Sequence, residues 1–274
     1  MICVCKERLD LSLLTRGSEN MLPAERHRAI LQHLHARGSI RVKELSQLFD
    51  VTEETVRRDL HMLEEEGKLR RSHGGAVRVD EDMTNEISYL IRESEHVPEK
   101  EVIAKTALQF IGIGDRIVLD ASTTALHLAN ALPDMPLTVL TNSLKVALEL
   151  SGKEKIEVIS TGGILRSSSL SYVGPMAEDS LSKFHVNKAF LSCKGIHTQH
   201  GFTESNALQA LVKRKMIDIA DTVIVLADHS KIQVQDFTHV ADAREVDMLI
   251  TDSETNEADL TAFEQLGLRV LRAD

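Results

Sequence analysis

The sequence predicts an α/β protein with two domains, an N-terminal winged helix-turn-helix and a larger C-terminal α/β domain. A length of 274 residues suits two ordinary domains. Apolar residues recur at helical spacing as far as Gly67, and two short alternating stretches then flank Gly74 and Gly75. Beyond residue 100, short apolar strands alternate with helical segments, which is typical of a mainly parallel sheet covered by helices.

Composition excludes several classes of protein. Hydrophobic residues make up 42% of the chain and charged residues 27%, which are ordinary values for a globular protein. No uncharged apolar run approaches the length of a membrane span. Three cysteines (Cys3, Cys5 and Cys193) are too few for a disulfide framework, and the charged opening residues do not form a signal peptide. We therefore expect a cytoplasmic protein without membrane contact.

Charge is divided unevenly along the chain. Residues 1–80 contain 14 Lys and Arg against 13 Asp and Glu, a net +1, whereas residues 81–274 contain 18 against 29, a net −11. Such asymmetry indicates a small domain that tolerates a polyanion, joined to an acidic domain. A net charge of only +1 predicts weak DNA binding per copy, because affinity depends largely on phosphate neutralisation. A homo-oligomer, either a dimer or a tetramer, would compensate by binding repeated half-sites.

The first 20 residues show neither helical nor strand periodicity, and a strong helical pattern begins after Met21. We interpret residues 1–20 as a poorly ordered tail or as an extension upstream of the true start. Cys3 and Cys5 alone are too few ligands to predict a metal site.

Three helical patterns follow in residues 21–79, the predicted DNA-binding domain. The first begins at Pro23, which suits the first turn of a helix, and ends near Gly38. The second is short and lies between Val42 and Phe49. The third begins after Thr52, a natural N-cap, and ends at Gly67. Their apolar positions include Ile30, Leu31, Leu34, Leu45, Leu48, Val56, Leu60 and Leu63.

The third helix and the stretch after it carry the candidate DNA contacts. A helix-turn-helix places the start of its second helix in the major groove, where the planar fork of arginine pairs with guanine or clamps a phosphate. Residues 68–79 are predicted to form a two-stranded wing that reaches flanking phosphates. The alternative is a protein-interaction module with ordinary solvated charges. The predicted DNA-binding residues are Thr52, Glu54, Thr55, Arg57, Arg58, Arg70, Arg71 and His73.

A polar segment, residues 80–100, is predicted to be a linker with room for a short helix through Ile87, Leu90 and Ile91. Residues 101–274 form the predicted C-terminal domain, in which strands alternate with helices. Seven short apolar strands are predicted at 116–120, 137–141, 156–161, 188–194, 222–228, 248–251 and 269–271.

Four polar clusters follow predicted strands, and parallel sheets bind ligands at the carboxyl ends of their strands. Hydroxyls and amides at a helix N-terminus suit a phosphate, glycines allow a close approach of the backbone, and a lysine supplies a cation. Each cluster alone has a simpler explanation, because Ser and Thr cap helices throughout proteins. The clusters are residues 120–124, 141–143, 161–163 and 228–231.

Catalysis and metal binding have little support in the sequence. Lys194, Glu204 and Asp228 lie near predicted strand or loop ends and could transfer protons, but isolated residues of this kind more often bind ligands or lie on the surface. Cys193 lies in an apolar strand and is predicted to be an inert core thiol. The twelve histidines show no metal-ligand spacing. We predict no catalytic residue, no metal site and no cofactor.

The chain resembles the DeoR family of bacterial regulators from about Met21 to its end. In the N-terminal domain the resemblance is carried by TEETVRRDL at 52–60, by Leu63, Glu64 and Gly67, and by SHGGA at 72–76. The C-terminal domain is similar to the sensor domain of that family, whose fold resembles ribose-phosphate isomerases and CoA transferases. Its motifs are LDASTT at 119–124, TNS at 141–143, STGG at 160–163, Gly174-Pro175 and ADHSK at 227–231.

The resemblance implies a transcription factor, usually a repressor of a carbohydrate operon, that a phosphorylated sugar releases from operator DNA. Segments 121–122, 192–195 and 204–206 prompt a comparison with regulators of deoxyhexose use, namely rhamnose and fucose. Sensor domains of the family are not usually catalytic, and the alternative is a sugar-phosphate isomerase-like enzyme with an appended DNA-binding domain. Carried over by position, the ligand-binding residues are Asp120, Ser122, Thr123, Thr124, Asn142, Gly162, Gly163 and Lys231.

Overall fold

The computed structural model describes residues 23–37, 39–65, 68–72, 74–78 and 89–274, and the chain divides into two compact units, Met1–Asp82 and Met83–Asp274. The predicted tail and the first part of the predicted linker, residues 80–88, lie outside the described residues. The rest of that linker, residues 89–100, is mostly helical and belongs to the second unit. The domain limits drawn from the sequence stay predictions.

The N-terminal unit contains the three predicted helices and the predicted hairpin. A further strand, which the sequence patterns do not predict because it is only three residues long, pairs with the second strand of the hairpin and makes the wing sheet three-stranded. The elements are α1 (Pro23–Arg37), β1 (Ser39–Arg41), α2 (Val42–Phe49), α3 (Glu53–Glu65), β2 (Leu69–Ser72) and β3 (Gly75–Arg78).

Glycine is required at both positions of the wing turn, Gly74 and Gly75, but for different structural reasons. Gly74 has a φ of 83°, in the left-handed region that favours glycine. At Gly75 a Cβ would overlap the carbonyl oxygen of Ile40, so a side chain there would push β1 away from β3. The first glycine therefore allows the turn, and the second allows the third strand to pair.

An apolar core joins α1, α2 and α3, and it encloses an ion pair. Arg26 on α1 donates to the carboxylate of Asp59 on α3 through Nε at 2.5 Å and through Nη2 at 3.0 Å. His27 Nε2 lies 3.0 Å from the same carboxylate. Leu48, which the helical spacing assigns to the apolar stripe, is exposed. The buried pair fixes α1 against one face of α3 and leaves the opposite face to solvent.

The second unit is built on a seven-stranded sheet in which every neighbouring pair is parallel. All seven predicted strands are present, and their ends lie within three residues of the predicted ends. They are β4 (Arg116–Leu119), β5 (Leu137–Thr141), β6 (Ile156–Ser160), β9 (Val186–Leu191), β12 (Ala220–Leu226), β14 (Met248–Asp252) and β15 (Arg269–Ala273). The α/β fold class with an N-terminal winged helix-turn-helix is therefore confirmed.

Helices cover both faces of this sheet, because successive strand residues enter opposite cores. The helices are α4 (Tyr89–Ser94), α5 (Val97–Ala107), α6 (Thr123–Ala131), α7 (Leu144–Leu150), α8 (Pro175–Leu181), α9 (Ala207–Asp218) and α10 (Glu257–Gln265). Ile117 and Leu119 belong to one core, with residues of α5, α6 and α7, whereas Val118 belongs to the other, with residues of α8, α9 and α10. In the part of the chain that the structure describes, no helix has the length and apolar character of a membrane span.

Two smaller antiparallel sheets, which the sequence patterns do not predict, interrupt the alternation of strands and helices. One pairs β7 (Ile164–Arg166) with β8 (Ser171–Val173). The other has the order β10 (Gly195–His197), β11 (Gly201–Glu204), β13 (Thr238–Ala241). Strands of three or four residues are too short to establish an alternating pattern in the sequence.

Strand order reverses next to β4. The chain runs outward through β5 and β6, returns to β9 on the other side of β4, and continues to β12, β14 and β15. In doubly wound sheets, the carboxyl ends of the strands at such a reversal form a crevice that binds ligands.

Candidate functional site

The start of α3 is exposed and is capped as predicted. Thr52 Oγ1 accepts a hydrogen bond from the backbone nitrogen of Thr55 at 3.2 Å. The half-exposed Arg57 lies one turn further on, with Nη2 2.7 Å from Glu53 and Nη1 3.7 Å from Glu54. Exposed ion pairs within a helix contribute only about 0.3–0.5 kcal/mol, so Arg57 can exchange these carboxylates for a nucleic acid at little cost.

The other predicted DNA contacts of the helix and the wing are mostly exposed. Arg58, Arg70 and Arg71 are exposed, as is Glu54, whereas Thr55 is half-buried. The backbone nitrogen of Arg71 donates to Glu64 Oε1 at 2.8 Å, which ties the wing to the last turn of α3. His73 lies outside the described residues. Which of these side chains contact DNA stays a prediction.

In the second unit a cleft of about 300 Å³ opens where neighbouring strands end. Asp120 follows β4, Ser192 follows β9 and Asp228 follows β12, and these three strands are adjacent in the sheet. The cleft therefore lies at the reversal of strand order, where a doubly wound sheet is expected to bind its ligand.

One wall of the cleft is the first turn of α6. Ser122 caps this helix by accepting from the backbone nitrogen of Ala125 at 3.0 Å. The buried carboxylate of Asp120 accepts from Ser122 Oγ at 2.6 Å and from the backbone nitrogen of Ser192 at 3.0 Å, so the loop is held from below. Among the described residues, none forms a hydrogen bond with the buried Thr124 Oγ1. Because buried hydroxyls are normally paired, this atom is available to a ligand.

Basic side chains crowd the cleft, and burial disfavours their charge. Burial, and after it the charge of the nearby Arg92, lower the pKa of Lys194 to about 8. Burial is also the main reason that the pKa of Lys100 is lowered to about 8, with Lys231 as a second cause. A bound anion would stabilise the protonated form of both lysines.

The third lysine of the cleft has a carboxylate partner. Lys231 Nζ lies 2.5 Å from Asp228 Oδ2. Burial by itself would raise the pKa of Asp228, but Lys231 and a hydrogen bond from Ser230 lower it to about 2. Asp228 is therefore ionised at neutral pH and fixes the position of Lys231.

Beneath the cleft a buried lysine joins two carboxylates. Lys213 on α9 pairs with Glu204 at the end of β11, lies 3.0 Å from Asp120 Oδ2, and donates to the carbonyl oxygen of Ser192. Burial alone would lower the pKa of Lys213, but Glu204 and Asp120 raise it above its usual value. The charged lysine thus holds together the ends of β4, β9 and β11.

Two family profiles match the chain. One, described as a DeoR-like helix-turn-helix domain, matches residues 26–82, and the other, described as the DeoR C terminal sensor domain, matches residues 95–253. The chain belongs to the DeoR family. The resemblance predicted from the sequence is confirmed, and the protein is a DNA-binding transcriptional regulator.

Relatives within the DeoR family match almost end to end. The chain is 52% identical to the HTH-type transcriptional regulator YulB of Bacillus subtilis (strain 168), over 91% of this chain and 96% of that protein. It is 38% identical to the transcriptional repressor GlcR of the same organism, over 92% and 96%. It is 34% identical to the L-fucose operon activator of Haemophilus influenzae, over 83% and 91%. Both a repressor and an activator occur among these relatives.

Solved structures match this DeoR-family chain only distantly. Ribose 5-phosphate isomerase A from Methanocaldococcus jannaschii has a TM-score of 0.36 and 16% identity, over 48% of this chain and 53% of that chain. The delta subunit of eIF2B from Chaetomium thermophilum has a TM-score of 0.41 and 15% identity, over 84% and 71%. Matches at this level carry no conclusion about function.

The structure brings together some of the predicted ligand-binding residues of this regulator. Ser122, Thr123, Thr124 and Lys231 line the cleft, and Asp120 supports their loop from beneath. The other three, Asn142, Gly162 and Gly163, are not among its lining residues.

Those three residues lie beside the neighbouring hairpin, β7–β8, and their contact with a ligand stays a prediction. Asn142 Nδ2 donates to the carbonyl oxygen of Tyr172 on β8 at 3.0 Å, and its buried Oδ1 has no partner among the described residues. Gly162 has a φ of 63°, and at Gly163 a Cβ would lie 2.9 Å from the carbonyl oxygen of Val173. They follow strands β5 and β6, away from the reversal of strand order, and sequence clusters alone do not separate central strands from outer ones.

The sequence patterns do not predict the roles of Arg92, Lys100 and Lys213. The burial of the two lysines could have been predicted from the sequence, because each occupies a position in the buried stripe of its helix. Lys100 lies one turn before Ile103, and Lys213 lies one turn before Met216. A lysine in such a stripe is almost never buried without a partner. Lys194 and Glu204, which the sequence patterns do not assign to ligand binding, also line the cleft.

Cys193 lies at the edge of the same cleft. Its side chain is buried, and burial raises the pKa of the thiol to about 12. A thiol that stays protonated at neutral pH is a poor nucleophile, which agrees with the prediction of an inert core residue.

Proposed function

We propose that the protein regulates a carbohydrate operon and that a phosphorylated sugar, bound in the cleft, controls its affinity for DNA. The observation that carries the proposal is the buried hydroxyl of Thr124, which has no hydrogen-bond partner in the described part of the chain. It lies in the first turn of α6, in a cleft that also contains Lys100 and Lys194. A phosphate would accept from the hydroxyl and from helix amides while it balances the lysine charges.

The rest of the cleft supports a sugar as the remainder of the ligand. Glu95, Glu204 and Asp236 also line it, and carboxylates accept hydrogen bonds from sugar hydroxyls. A volume of about 300 Å³ is at the lower end of the range for ligand pockets. Among the described lining residues, His96 has the only aromatic ring, so a stacking platform for a nucleotide base is lacking.

In the proposed mechanism the N-terminal unit reads DNA. Residues at the start of α3 contact base edges and phosphates, and the basic residues of the wing contact flanking phosphates. The protein binds as a dimer or tetramer, because residues 1–80 carry a net charge of only +1 per chain. Coupling between effector and DNA is typically worth about 1–3 kcal/mol, or roughly 5–150-fold in affinity. The proposed contacts are Thr52, Glu54, Thr55, Arg57, Arg58, Arg70, Arg71 and His73.

The proposed effector is a deoxyhexose phosphate from rhamnose or fucose use, and the proposed role is repression. The sugar is supported by the segments at 121–122, 192–195 and 204–206 and by the 34% identical relative named as an L-fucose operon activator. Repression is supported by the 38% identical relative named as a repressor.

Fluorescence anisotropy with labelled DNA from upstream of the neighbouring operon tests this function. The titration is repeated with a panel of aldose and ketose phosphates that includes deoxyhexoses, and inorganic phosphate and the unphosphorylated sugars serve as controls. We expect tight binding that one sugar phosphate weakens. Binding strengthened by a compound would indicate an activator, and DNA binding that no panel member changes would contradict the proposed effector class.

One observation favours a second function, a sugar-phosphate isomerase, because Lys194 and Glu204 line the same cleft. Against it, Glu204 Oε1 already accepts a hydrogen bond from the buried Lys213, which holds that carboxylate in a structural ion pair. Turnover of a sugar phosphate that Glu204→Gln abolishes would support the enzyme, and binding without turnover would contradict it. DNA binding that is absent or independent of salt would instead favour a protein-interaction module.

A further inference from the structure

Three side chains at one edge of the cleft have the arrangement of a metal site. His96, Glu99 and His229 each offer one ligand atom, and these atoms lie within 4.8 Å of one another. Bonds of about 2.0–2.2 Å place the ligand atoms of a tetrahedral zinc site roughly 3.4 Å apart. His96 Nδ1 and Glu99 Oε1 are 4.0 Å apart, so small side-chain rotations would bring the set to that spacing.

The carboxylate of Glu99 is incompletely satisfied by the protein. Within the described ranges, its Oε2 atom is buried and accepts no hydrogen bond. Burying a carboxylate oxygen without a partner is unfavourable, and native proteins rarely leave one in that state. A cation between Glu99 and the two histidines would supply the missing partner.

His229 has the supporting carboxylate that metal-binding histidines usually have. Its Nδ1 lies 3.1 Å from Oδ1 of the buried Asp252, whose other oxygen accepts from the backbone nitrogen of His229 at 2.7 Å. A carboxylate on one ring nitrogen fixes the orientation of the ring and raises the basicity of the other nitrogen. The exposed Glu254 lies 3.4 Å from that second nitrogen, Nε2, and can rotate to admit an ion.

We propose that His96, Glu99 and His229 bind a divalent first-row transition-metal ion, for which Zn²⁺ is a good match. Two imidazoles and one carboxylate are a ligand set that Zn²⁺ accepts, and they leave its fourth position open. The sequence predicts no metal site, because the ligands come from the start of α5 and from the turn after β12, far apart in the chain.

Of the three ligands, His96 also lines the cleft, so the fourth position of the ion would be open to the cleft. An oxygen atom of an anion in the cleft would complete the coordination of the ion. The metal site itself is independent of the proposed effector, and only this last step rests on the proposed function.

Metal binding is tested on the full-length protein after treatment with a chelator. Calorimetric titration with Zn²⁺ is expected to show one ion per chain. Glu99→Gln and His229→Gln preserve approximate size, and each is expected to weaken binding by at least about tenfold, since even changes behind the ligands have effects of that order. The matched control is His185→Gln, which removes an exposed histidine whose Nε2 lies 2.9 Å from Asp221 Oδ1 and which is expected to have no effect.

The proposed site is wrong if wild-type protein binds no Zn²⁺, or if His185→Gln weakens binding as much as Glu99→Gln does. Thermal unfolding in chelator shows whether each variant folds. If His229→Gln does not fold, Glu99→Gln still tests the site.

For the open position, Co²⁺ replaces Zn²⁺ and its visible absorption is recorded as inorganic phosphate is added. We expect the band to change, and a band that phosphate leaves unaltered would place the open position elsewhere. Zn²⁺ binding without any response of DNA affinity to sugar phosphates would contradict the proposed function and not the metal site.

Discussion

The two units of this regulator use charged residues in opposite ways. On α3, Arg57 and Glu53 form an ion pair whose side chains are 48% and 46% exposed. Beneath the cleft, Lys213 pairs with Glu204 and Asp120, and these side chains are only 10%, 8% and 1% exposed. An exposed pair exchanges partners at little cost, whereas a buried pair loses several kcal/mol if it is broken. The first arrangement suits competition by the phosphates of DNA, and the second suits a rigid frame around a small ligand.

The largest expected effect comes from breaking the buried network. Lys213→Met removes the cation that pairs with both Glu204 and Asp120, so two buried carboxylates lose this ion-pair partner. We expect the free energy of unfolding to fall by about 3–5 kcal/mol, the usual result of removing one partner of a buried pair. The matched control is Lys183→Met, which breaks an exposed pair with Asp179 and should cost less than about 1 kcal/mol.

Tyrosine fluorescence in a urea titration measures this difference. The chain has two tyrosines and no tryptophan, and both Tyr89 and Tyr172 lie in the second unit. The signal therefore reports the unit that contains the network. Equal losses for Lys183→Met and Lys213→Met would show that burial does not distinguish the two ion pairs.

The next effect concerns the proposed phosphate-binding loop, residues 120–124. Thr124→Val keeps the shape of the side chain and removes the hydroxyl that has no partner among the described residues. We expect affinity for the effector to fall by about 1.5–3 kcal/mol, the value of a hydrogen bond to a charged group, while DNA affinity without effector is unchanged. Calorimetry with the active sugar phosphate and anisotropy with DNA measure the two quantities. An unchanged effector affinity would remove Thr124 from the site.

Arg57→Ala is the converse experiment on the exposed surface. We expect DNA affinity to fall by about 1–3 kcal/mol, the value of a good arginine contact to a base, with effector affinity unchanged. Anisotropy at several salt concentrations separates a base contact from a phosphate contact, because loss of a phosphate contact lowers the salt slope. If Arg57→Ala and Thr124→Val each damaged both activities equally, the division of labour between the units would be wrong.

Effector affinity is expected to fall as the pH rises through 8. Lys100 and Lys194 each have a pKa of about 8, so both lose their charge between pH 7 and 9. Phosphate esters keep their full charge over this interval, which isolates the lysines. The expected loss is at most about tenfold per lysine for each pH unit above 8, measured by calorimetry. Affinity that is constant from pH 7 to 9 would exclude both lysines from the phosphate contact.

The same two lysines should make the free energy of unfolding rise with pH, in the opposite direction to the affinity for the effector. Their usual pKa of 10.5 in the unfolded chain exceeds the folded value of about 8, so the unfolded state binds more protons between these limits. Their contribution to the free energy of unfolding therefore rises with pH from about 8 to 10.5. As the pH rises, the free energy of unfolding is therefore expected to increase while the affinity for the effector decreases. This opposition is expected when buried lysines are kept charged for a ligand.

Sequence patterns predict the frame of this molecule better than its site. The strands β4, β5, β9, β12 and β14 are largely buried, whereas the edge strands β6 and β15 are partly exposed. The Ser122–Thr124 turn directly follows β4, so the strands and this turn can both be predicted from local sequence. The cleft also draws on Lys100 and Lys213, which come from helices and meet the strand ends only through tertiary packing. Asn142 is assigned to the site on the sequence because it follows a strand, but it does not line the cleft, because its strand β5 lies one place outside the reversal.

The smallest expected effect tests whether the exposed pair on α3 is as exchangeable as its geometry indicates. Glu53→Gln removes the closer carboxylate partner of Arg57, and the N-cap at Thr52 is left in place. We expect the free energy of unfolding to fall by no more than about 0.5 kcal/mol, the value of an exposed pair within a helix. DNA affinity should rise slightly, because a carboxylate that competes with phosphate is lost, and anisotropy at low salt measures that rise most clearly. A fall in DNA affinity would mean that Glu53 orients Arg57 for contact with DNA. The exposed ion pair on α3 would then be preorganised for its ligand, as the buried Lys213 network is.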